Sequence, residues 1–476
     1  MKAWATVRRH WAILILLALA VVLRVLIMAA YQPAFWFYGD SGAFIESSIR
    51  SGLDPYDVGG LGYSVVLKVL KVTGSFAVVV ALQHLLGLLT ALAIYTFLYR
   101  RGVRIWLACL ATAPLLFDSL QVTLEHYVLG ETMFVALSVT AILLLLWPKK
   151  PGLVACALSG FVIMLAWFTR PSTIPMVIIM LGFLAIRRVG WRPLLAFAIA
   201  FAIPYVAVQS WIGDRPSAFG TSYANRALYA RVSSFVDCDR LTLTEAERRL
   251  CPLEPLGQRH DRTDYYGWNG PAVQVPKNDN EILRTFARKA IAAQPADYAQ
   301  VVLRDLAPHF IPGRHIGPES DCLREKWSLP ATIKGTPVPL ACTPALTQNT
   351  WDNEFADDKD APAATGLSTF LAGYGKVMRT VPIVTSLALL LALVAAIRFR
   401  RGSRDAADTI TLALITVSLV IPPVLVAMYE ARYGLPALVF ASMSAGLSWR
   451  HLSKAGSSHP AGDQPQVPAT EPAGIA

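Results

Sequence analysis

Four side chains in this sequence combine a type and a position that could do chemistry: Asp40, Glu131, Arg170 and Arg432. Each lies beside or near the end of a long apolar run. Ionisable groups at membrane depth are costly unless they are used or paired, so acids and arginines gathered at one end of such runs suggest a site. Asp40 sits in Phe35-Trp36-Phe37-Tyr38-Gly39-Asp40-Ser41, where the aromatic run would anchor at the interface. A carboxylate held there could take the proton of an attacking hydroxyl. Asp40 is equally suited to capping the helix that Asp-Ser-Gly would open. Arg170, in Phe168-Thr169-Arg170-Pro171, and Arg432, in Glu430-Ala431-Arg432-Tyr433, carry planar forks that match two phosphate oxygens. The competing role is a snorkelling arginine, or for Arg432 an internal pair with Glu430 or Glu131. Glu131 opens an apolar run, where a negative charge also favours a helix N-terminus. His126 reads as a satisfied interfacial histidine, and Arg24 and His84 as contacts inside a bundle.

The elements that would position these residues follow from composition. The chain has 476 residues, 54% hydrophobic and 16% charged, against about 25% charged in an ordinary soluble domain. Ten apolar runs stand out, at 11–30, 75–99, 105–122, 129–147, 152–169, 172–186, 191–211, 381–399, 408–428 and 434–449. A span needs about 20 apolar residues. The first run is longer than a signal-peptide core and holds Arg24, which favours a retained helix. Basic clusters follow alternate runs: Arg100, Arg101 and Arg104; Lys149 and Lys150; Arg187, Arg188 and Arg192; Arg398, Arg400, Arg401 and Arg404; Arg450 and Lys454. Together with Arg8 and Arg9 they all fall on one side, which the positive-inside rule places in the cytoplasm.

The expected fold is therefore an all-α polytopic membrane protein of about ten transmembrane helices, with both termini cytoplasmic. Residues 1–211 form an N-terminal module of seven helices with a first outer loop at 31–74. Residues 212–380 form an extracytoplasmic domain of mixed structure, 381–454 carry helices eight to ten, and 455–476 are a disordered tail. In the long loop, 281–293 and 296–310 read as amphipathic helices broken at Pro295. It also holds Cys238, Cys251, Cys322 and Cys342. Their spacing matches no zinc pattern, and two disulfides are expected, with sequence proximity favouring Cys238–Cys251 and Cys322–Cys342.

The net charge of +11 does not mark a nucleic-acid binder, because the basic residues are dispersed among loops. The sequence contains no phosphate loop, dinucleotide fingerprint, HExxH or Gly-x-Ser-x-Gly. A sugar donor would then be a lipid phosphate and not a nucleotide sugar.

The residues resemble the GT-C superfamily of membrane glycosyltransferases. Tyr38-Gly39-Asp40-Ser41 looks like the acidic motif that opens its first outer loop, and Gly59-Gly60-Leu61-Gly62-Tyr63-Ser64 resembles its Pro-Gly-Tyr-Pro motif with both prolines replaced. Glu131, Thr169-Arg170-Pro171, Ala431-Arg432-Tyr433-Gly434-Leu435-Pro436 and the 290–310 stretch are similar to further recurring features. The likeness is greatest to the branch of protein O-mannosyltransferases and the lipid A aminoarabinose transferase. It implies a sugar moved with inversion from a polyprenyl-phosphate carrier to an extracytoplasmic envelope polysaccharide, glycolipid or protein. Under it Asp40 is catalytic, Arg170, Arg432 and Tyr433 contact the donor phosphate, and Glu46, Glu131, His126 and Tyr63 support the acceptor. The family often has Asp-Glu where Ser41 follows Asp40 here, and Glu46 is the substitute acid. No metal or other cofactor is expected. The alternative is a transporter or flippase for a lipid-linked sugar, or a non-catalytic scaffold.

Overall fold

The computed structural model describes residues 2–37, 40–50, 61–213, 221–260, 263–276, 280–313, 320–332, 345–346, 365–398 and 404–456. Cys342, Tyr38, Gly39, Gly59, Gly60 and the tail after 456 lie outside the described residues. Within the described residues each of the ten apolar runs is helical for most of its length, as lipid requires of a chain that must satisfy its backbone internally. In chain order the elements are α1 (Lys2–Ala30), β1 (Phe35–Trp36), α2 (Asp40–Ile49), α3 (Leu61–Leu70), α4 (Phe76–Arg100), α5 (Ile105–Phe117), α6 (Ser119–His126) and α7 (Glu131–Leu146). Then come α8 (Leu153–Thr169), α9 (Ile174–Ile186), α10 (Trp191–Ile212), α11 (Thr221–Ser233), α12 (Glu245–Arg248), α13 (Thr263–Trp268), α14 (Glu281–Ala293) and α15 (Pro295–Leu306). The chain ends with α16 (Ser320–Glu325), β2 (Ala345–Leu346), α17 (Gly366–Val377), α18 (Val381–Arg398), α19 (Arg404–Val426) and α20 (Gly434–Gly456).

Among the described residues, five helices are long and apolar enough to cross a membrane: 8–30, 76–100, 191–212, 366–398 and 404–426. The protein is a multi-pass membrane protein. A sixth span arises if α5 and α6, bent by 46° at Asp118, are taken as one. Pro114 lies inside α5 just before the bend. Asp118 stabilises it by capping α6 through Leu120 N at 2.8 Å. The same carboxylate accepts from Thr380 N at 2.5 Å, Thr380 Oγ1 at 2.7 Å and Val381 N at 3.1 Å. A break in one membrane helix is thereby fastened to the start of α18. Three apolar helices, α7, α8 and the stretch 171–186, are shorter, bounded by Pro148, Pro151 and Pro171, which cannot continue a helix.

The bundle packs as α7 and α10 against α8, and as α18 and α19 against α20. At the α8–α10 crossing Gly160 lets the backbones meet; a Cβ there would strike the Phe197 carbonyl. Above the bundle, Tyr229, Tyr266, Leu283, Phe286 and Ala287 form a small core shared by α11, α13 and α14. The amphipathic pair appears as α14 and α15, with the break at Gln294 and Pro295 as the first residue of α15. The Cys238–Cys251 disulfide closes this module, while the expected partner of Cys322 is outside the described residues. Tyr298 Oη donates to Leu425 O at 3.0 Å. Arg231 and Asp305, both 0% exposed, pair at 2.5 Å, and Tyr429 N donates to the same Asp305 oxygen at 3.3 Å. These bonds seat the module on the end of α19.

Burial pulls the Arg231 guanidinium below its ordinary value, with Asp305 pulling it back up. Asp305→Leu alone should cost about 3–5 kcal/mol, because it strands a buried cation, whereas Arg231→Met with Asp305→Leu should cost clearly less. Chemical denaturation of the full chain in micelles measures both. Equal losses in the single and double variants would show that the pair is not what anchors the module.

Candidate active site

Asp40 is positioned by a short extended segment that leaves α1 and lies across the loop between α6 and α7. Val128 N donates to Phe35 O at 3.0 Å, and β1 pairs antiparallel with β2 in the register Phe35↔Leu346 and Trp36↔Ala345. Ser41 Oγ donates to Val128 O at 2.9 Å and accepts from Phe37 N at 2.9 Å. Ser41 is therefore a clip that ties the start of α2 to the loop before α7. Asp40 occupies the first turn of α2, where the helix dipole favours its charge.

The Asp40 carboxylate belongs to a network that joins five chain segments, those of Asp40, Glu131, Arg170, Lys326–Trp327 and Glu430–Arg432. Arg432 Nη1 donates to Asp40 Oδ2 at 2.5 Å and to Glu131 Oε1 at 3.2 Å. Arg170 Nη1 donates to the same Glu131 oxygen at 3.0 Å. On the far side Arg432 Nε lies 3.9 Å from Glu430 Oε2. Glu430 is held by Trp327 Nε1 at 2.6 Å and by Lys326 Nζ at 3.2 Å. The Arg432 guanidinium carbon lies 5.0 Å from the ring centres of both Phe37 and Trp327 and 5.3 Å from that of Tyr433. Arg170 covers the Tyr433 ring at 5.2 Å. Tyr433 is thus shared between the two arginines.

Burial alone would pull the Arg432 guanidinium down. Asp40, Tyr433, Glu131 and Glu430 outweigh it and hold the group well above its ordinary value. Burial pushes the Tyr433 phenol up, against the pull of the two arginines. Counting formal charges, Arg170, Arg432 and Lys326 balance Asp40, Glu131 and Glu430. The cluster is neutral and its members differ in access: Glu131 and Glu430 side chains are 4% exposed, Asp40 is 30% exposed. Of the three carboxylates, Asp40 is the one open to solvent.

The remaining expected residues lie elsewhere. Glu46 is exposed on α2 and pairs with Arg50 at 2.5 Å. Tyr63 is buried and donates to Gln83 Oε1 at 2.6 Å, and Gln83 in turn donates to the carbonyls of Glu125 and Tyr127. His126 is 0% exposed, with Nε2 2.5 Å from Tyr31 O and Nδ1 3.3 Å from His84 Nε2. His84 reaches Glu125 at 2.9 Å, and Arg24 grips Glu125 with both fork nitrogens at 2.8 and 3.0 Å. This buried chain ties α1, α4 and α6 together. Lys326 and Trp327 were not singled out from the sequence. They come from the long loop, and the only signal was a Lys-Trp pair in a region with no periodicity to place it.

Among the described residues no group of three or more His, Cys, Asp or Glu side chains converges as a metal would need. No family model matches the chain, and no curated protein matches it. Solved structures that match over 95% of the chain include the crystal structure of the Archaeoglobus fulgidus oligosaccharyltransferase tethered with an acceptor peptide containing the NVT sequon, at 13% identity, with a TM-score of 0.41 and 52% of that chain covered. Another is the archaeal oligosaccharyltransferase AglB from Archaeoglobus fulgidus in complex with an inhibitory peptide and a dolichol-phosphate, at 13% identity, with a TM-score of 0.43 and 53% of that chain covered. The chain spans about half the length of these structures.

The buried chain offers a test of what holds α1, α4 and α6 together. A Cβ at Gly87 would overlap the Glu125 carboxylate, whereas one at Gly182 meets nothing within 4 Å. Gly87→Ala should therefore break the Arg24–Glu125 grip and cost about 3–5 kcal/mol, and Gly182→Ala should be neutral or slightly stabilising. The unfolding midpoints of the two variants in micelles decide it; a stable Gly87→Ala protein would rule the packing out.

Proposed function

We propose that the protein is a glycosyltransferase that moves a sugar from a polyprenyl-phosphate carrier to an acceptor hydroxyl outside the cytoplasm, with inversion. The observation that supports it is Asp40, a carboxylate clamped at 2.5 Å by a buried arginine and yet 30% exposed. Such a group is oriented before the substrate arrives, and preorganisation is what a general base needs. The acceptor O–H would approach the open side of Asp40 and give it the proton as the oxygen attacks the anomeric carbon. The bond from that carbon to the carrier phosphate breaks, and the electron pair leaves with the phosphate. Arg432, held between Asp40 and Glu131, keeps the carboxylate aligned and offsets the charge that shifts towards the leaving oxygen. The motifs around Asp40, Glu131, Arg170 and Arg432 that resemble the GT-C superfamily agree with this chemistry.

The reading carries a topology. Ten helices with both termini in the cytoplasm place Asp40, Glu131, Arg170 and Arg432 together on the outer side, and the 212–380 domain with its Cys238–Cys251 disulfide above them. The acceptor is an envelope polysaccharide, glycolipid or protein.

Asp40→Asn should lower sugar transfer by about 10²- to 10⁴-fold, the range for loss of a general base, with the unfolding midpoint retained. Glu46→Gln should transfer normally. Release of sugar from a panel of polyprenyl-phosphate sugars, with native membrane lipids as acceptor, measures both. Full transfer by Asp40→Asn would remove the catalytic assignment, and movement of intact lipid-linked sugar between leaflets without its consumption would favour the transporter.

A further inference from the structure

Four groups stand in a buried line between α6, α4 and the residue that follows α1. Glu125 Oε2 lies 2.9 Å from His84 Nδ1, His84 Nε2 lies 3.3 Å from His126 Nδ1, and His126 Nε2 lies 2.5 Å from Tyr31 O. His84, Glu125 and His126 are 3%, 0% and 0% exposed. The two imidazole planes are inclined by 28° with centres 5.6 Å apart, and their nitrogens are closer than their centres. The rings therefore meet edge to edge.

Protons can be counted along this line, because each of the three contacts needs one. A carbonyl only accepts, so His126 Nε2 carries the hydrogen for Tyr31 O. An ionised carboxylate only accepts, so His84 Nδ1 carries the hydrogen for Glu125. Those are the two protons that a pair of neutral rings possesses. His84 Nε2 and His126 Nδ1 would then face each other as two lone pairs at 3.3 Å. A third proton between them turns repulsion into a hydrogen bond and completes the line. Turning either ring over puts carbons where nitrogens stand and loses two of the three contacts.

Glu125 does not supply that proton. Both of its oxygens accept from the Arg24 fork, and Oε1 accepts from Gln121 Nε2 as well, the pattern of an ionised carboxylate. The proton belongs to the rings, and His84 is the ring against the carboxylate. A buried imidazolium is costly unless it is paired, and the surroundings supply the pairing. The charged and titratable groups around it are Arg24 from α1, Tyr31, Glu125 from α6, Asp118 at the α5–α6 bend, Tyr374 from α17 beside Arg24 and Asp118, and Tyr63 from α3 through Gln83. Phenols, which ordinarily ionise near about 10, are neutral at physiological pH. Asp118 stands two residues beyond the Leu116 carbonyl that Arg24 also binds, and its carboxylate accepts from Leu120 N, Thr380 N, Thr380 Oγ1 and Val381 N. With His84 charged, Arg24 and His84 match Glu125 and Asp118. With both rings neutral, the group holds one carboxylate too many.

We propose that the His84–His126 pair is a proton-binding site, in which His84 is a buried imidazolium and His126 a neutral ring that hands its hold on to the Tyr31 carbonyl. Tyr31 is the first residue after α1, it opens the segment that leads to Asp40, and its hydroxyl donates to Pro330 O at 3.0 Å. The proton thus fastens α4 and α6 to the root of that segment, and its loss opens the joint between the rings. The proton site does not depend on what the protein transfers.

Nitrogen-15 spectra of the full chain in micelles, labelled at histidine, read the ring nitrogens directly. At about pH 8, where an ordinary histidine has lost its charge, one ring should keep both nitrogens protonated. A coupling across the N–H···N bond should join it to a second ring protonated only at Nε2. Histidines that are all neutral at that pH would overturn the site. The unfolding equilibrium gives a second reading. Unfolded, two histidines hold four ring protons below about pH 6.5 and two above it, whereas the folded pair holds three. The folding constant should therefore rise with pH up to about 6.5 and fall about tenfold per unit above it, where the folded state binds the extra proton. His126→Gln should abolish the fall between about pH 7 and 8. A folding constant that stays level over that range in the unmodified chain, or a fall that His126→Gln retains, would count against the pair. Should His126→Gln not fold, the spectra of the unmodified chain decide.

Discussion

A guanidinium cannot be buried without partners, and much of this end of the helix bundle follows from burying Arg432. Taking such an ion out of water costs several kcal/mol even after relaxation. Asp40, Glu131 and Glu430 offset that cost, and each comes from a different stretch of chain. Their convergence draws the starts of α2 and α7 and the segment before α20 to one point. The aromatic faces of Phe37, Trp327 and Tyr433 then close around the cation. Trp327 brings the long loop down onto the bundle, so a residue outside the apolar helices becomes part of the site.

The same device sets the rest of the frame. Apolar contact says little about register where lipid is as apolar as the helices themselves. Polar pairs supply what it lacks. Arg24 satisfies its fork on Glu125 and on the carbonyls of Ala20 and Leu116, which fixes α1 against the bent α5–α6 pair. At the opposite end Arg101 joins Asp405 and Asp408, and Arg450 joins Asp405, locking α4, α19 and α20. Asp118 and the Arg231–Asp305 pair attach α18 and the small module. Each pair removes one way for the helices to slide.

Much of this was legible in the sequence for identifiable reasons. Helix positions followed from apolar runs because a backbone in lipid has few alternatives, and the α14–α15 break followed from Pro295. Asp40, Glu131, Arg170 and Arg432 stood out because charges at helix ends are expensive. Glu46 was less legible: its place six residues after Asp40 turns it to an exposed side of α2, where Arg50 takes it. Lys326 and Trp327 were invisible because a loop without periodicity does not announce what it covers.

The sequence by itself determined that the chain is helical, that it lives in a membrane, and which charged residues needed an explanation. Those are consequences of local physics, the hydropathy of a segment and the cost of a single ion. Only the tertiary structure decided which charges neutralise one another. That depends on distances between segments hundreds of residues apart, such as Asp40 and Arg432, and electrostatic energy in a poorly screened interior changes steeply with such distances. The neutral cluster around Asp40 and the exposed Glu46–Arg50 pair are made from the same residue types; what differs is the company each side chain keeps in the fold.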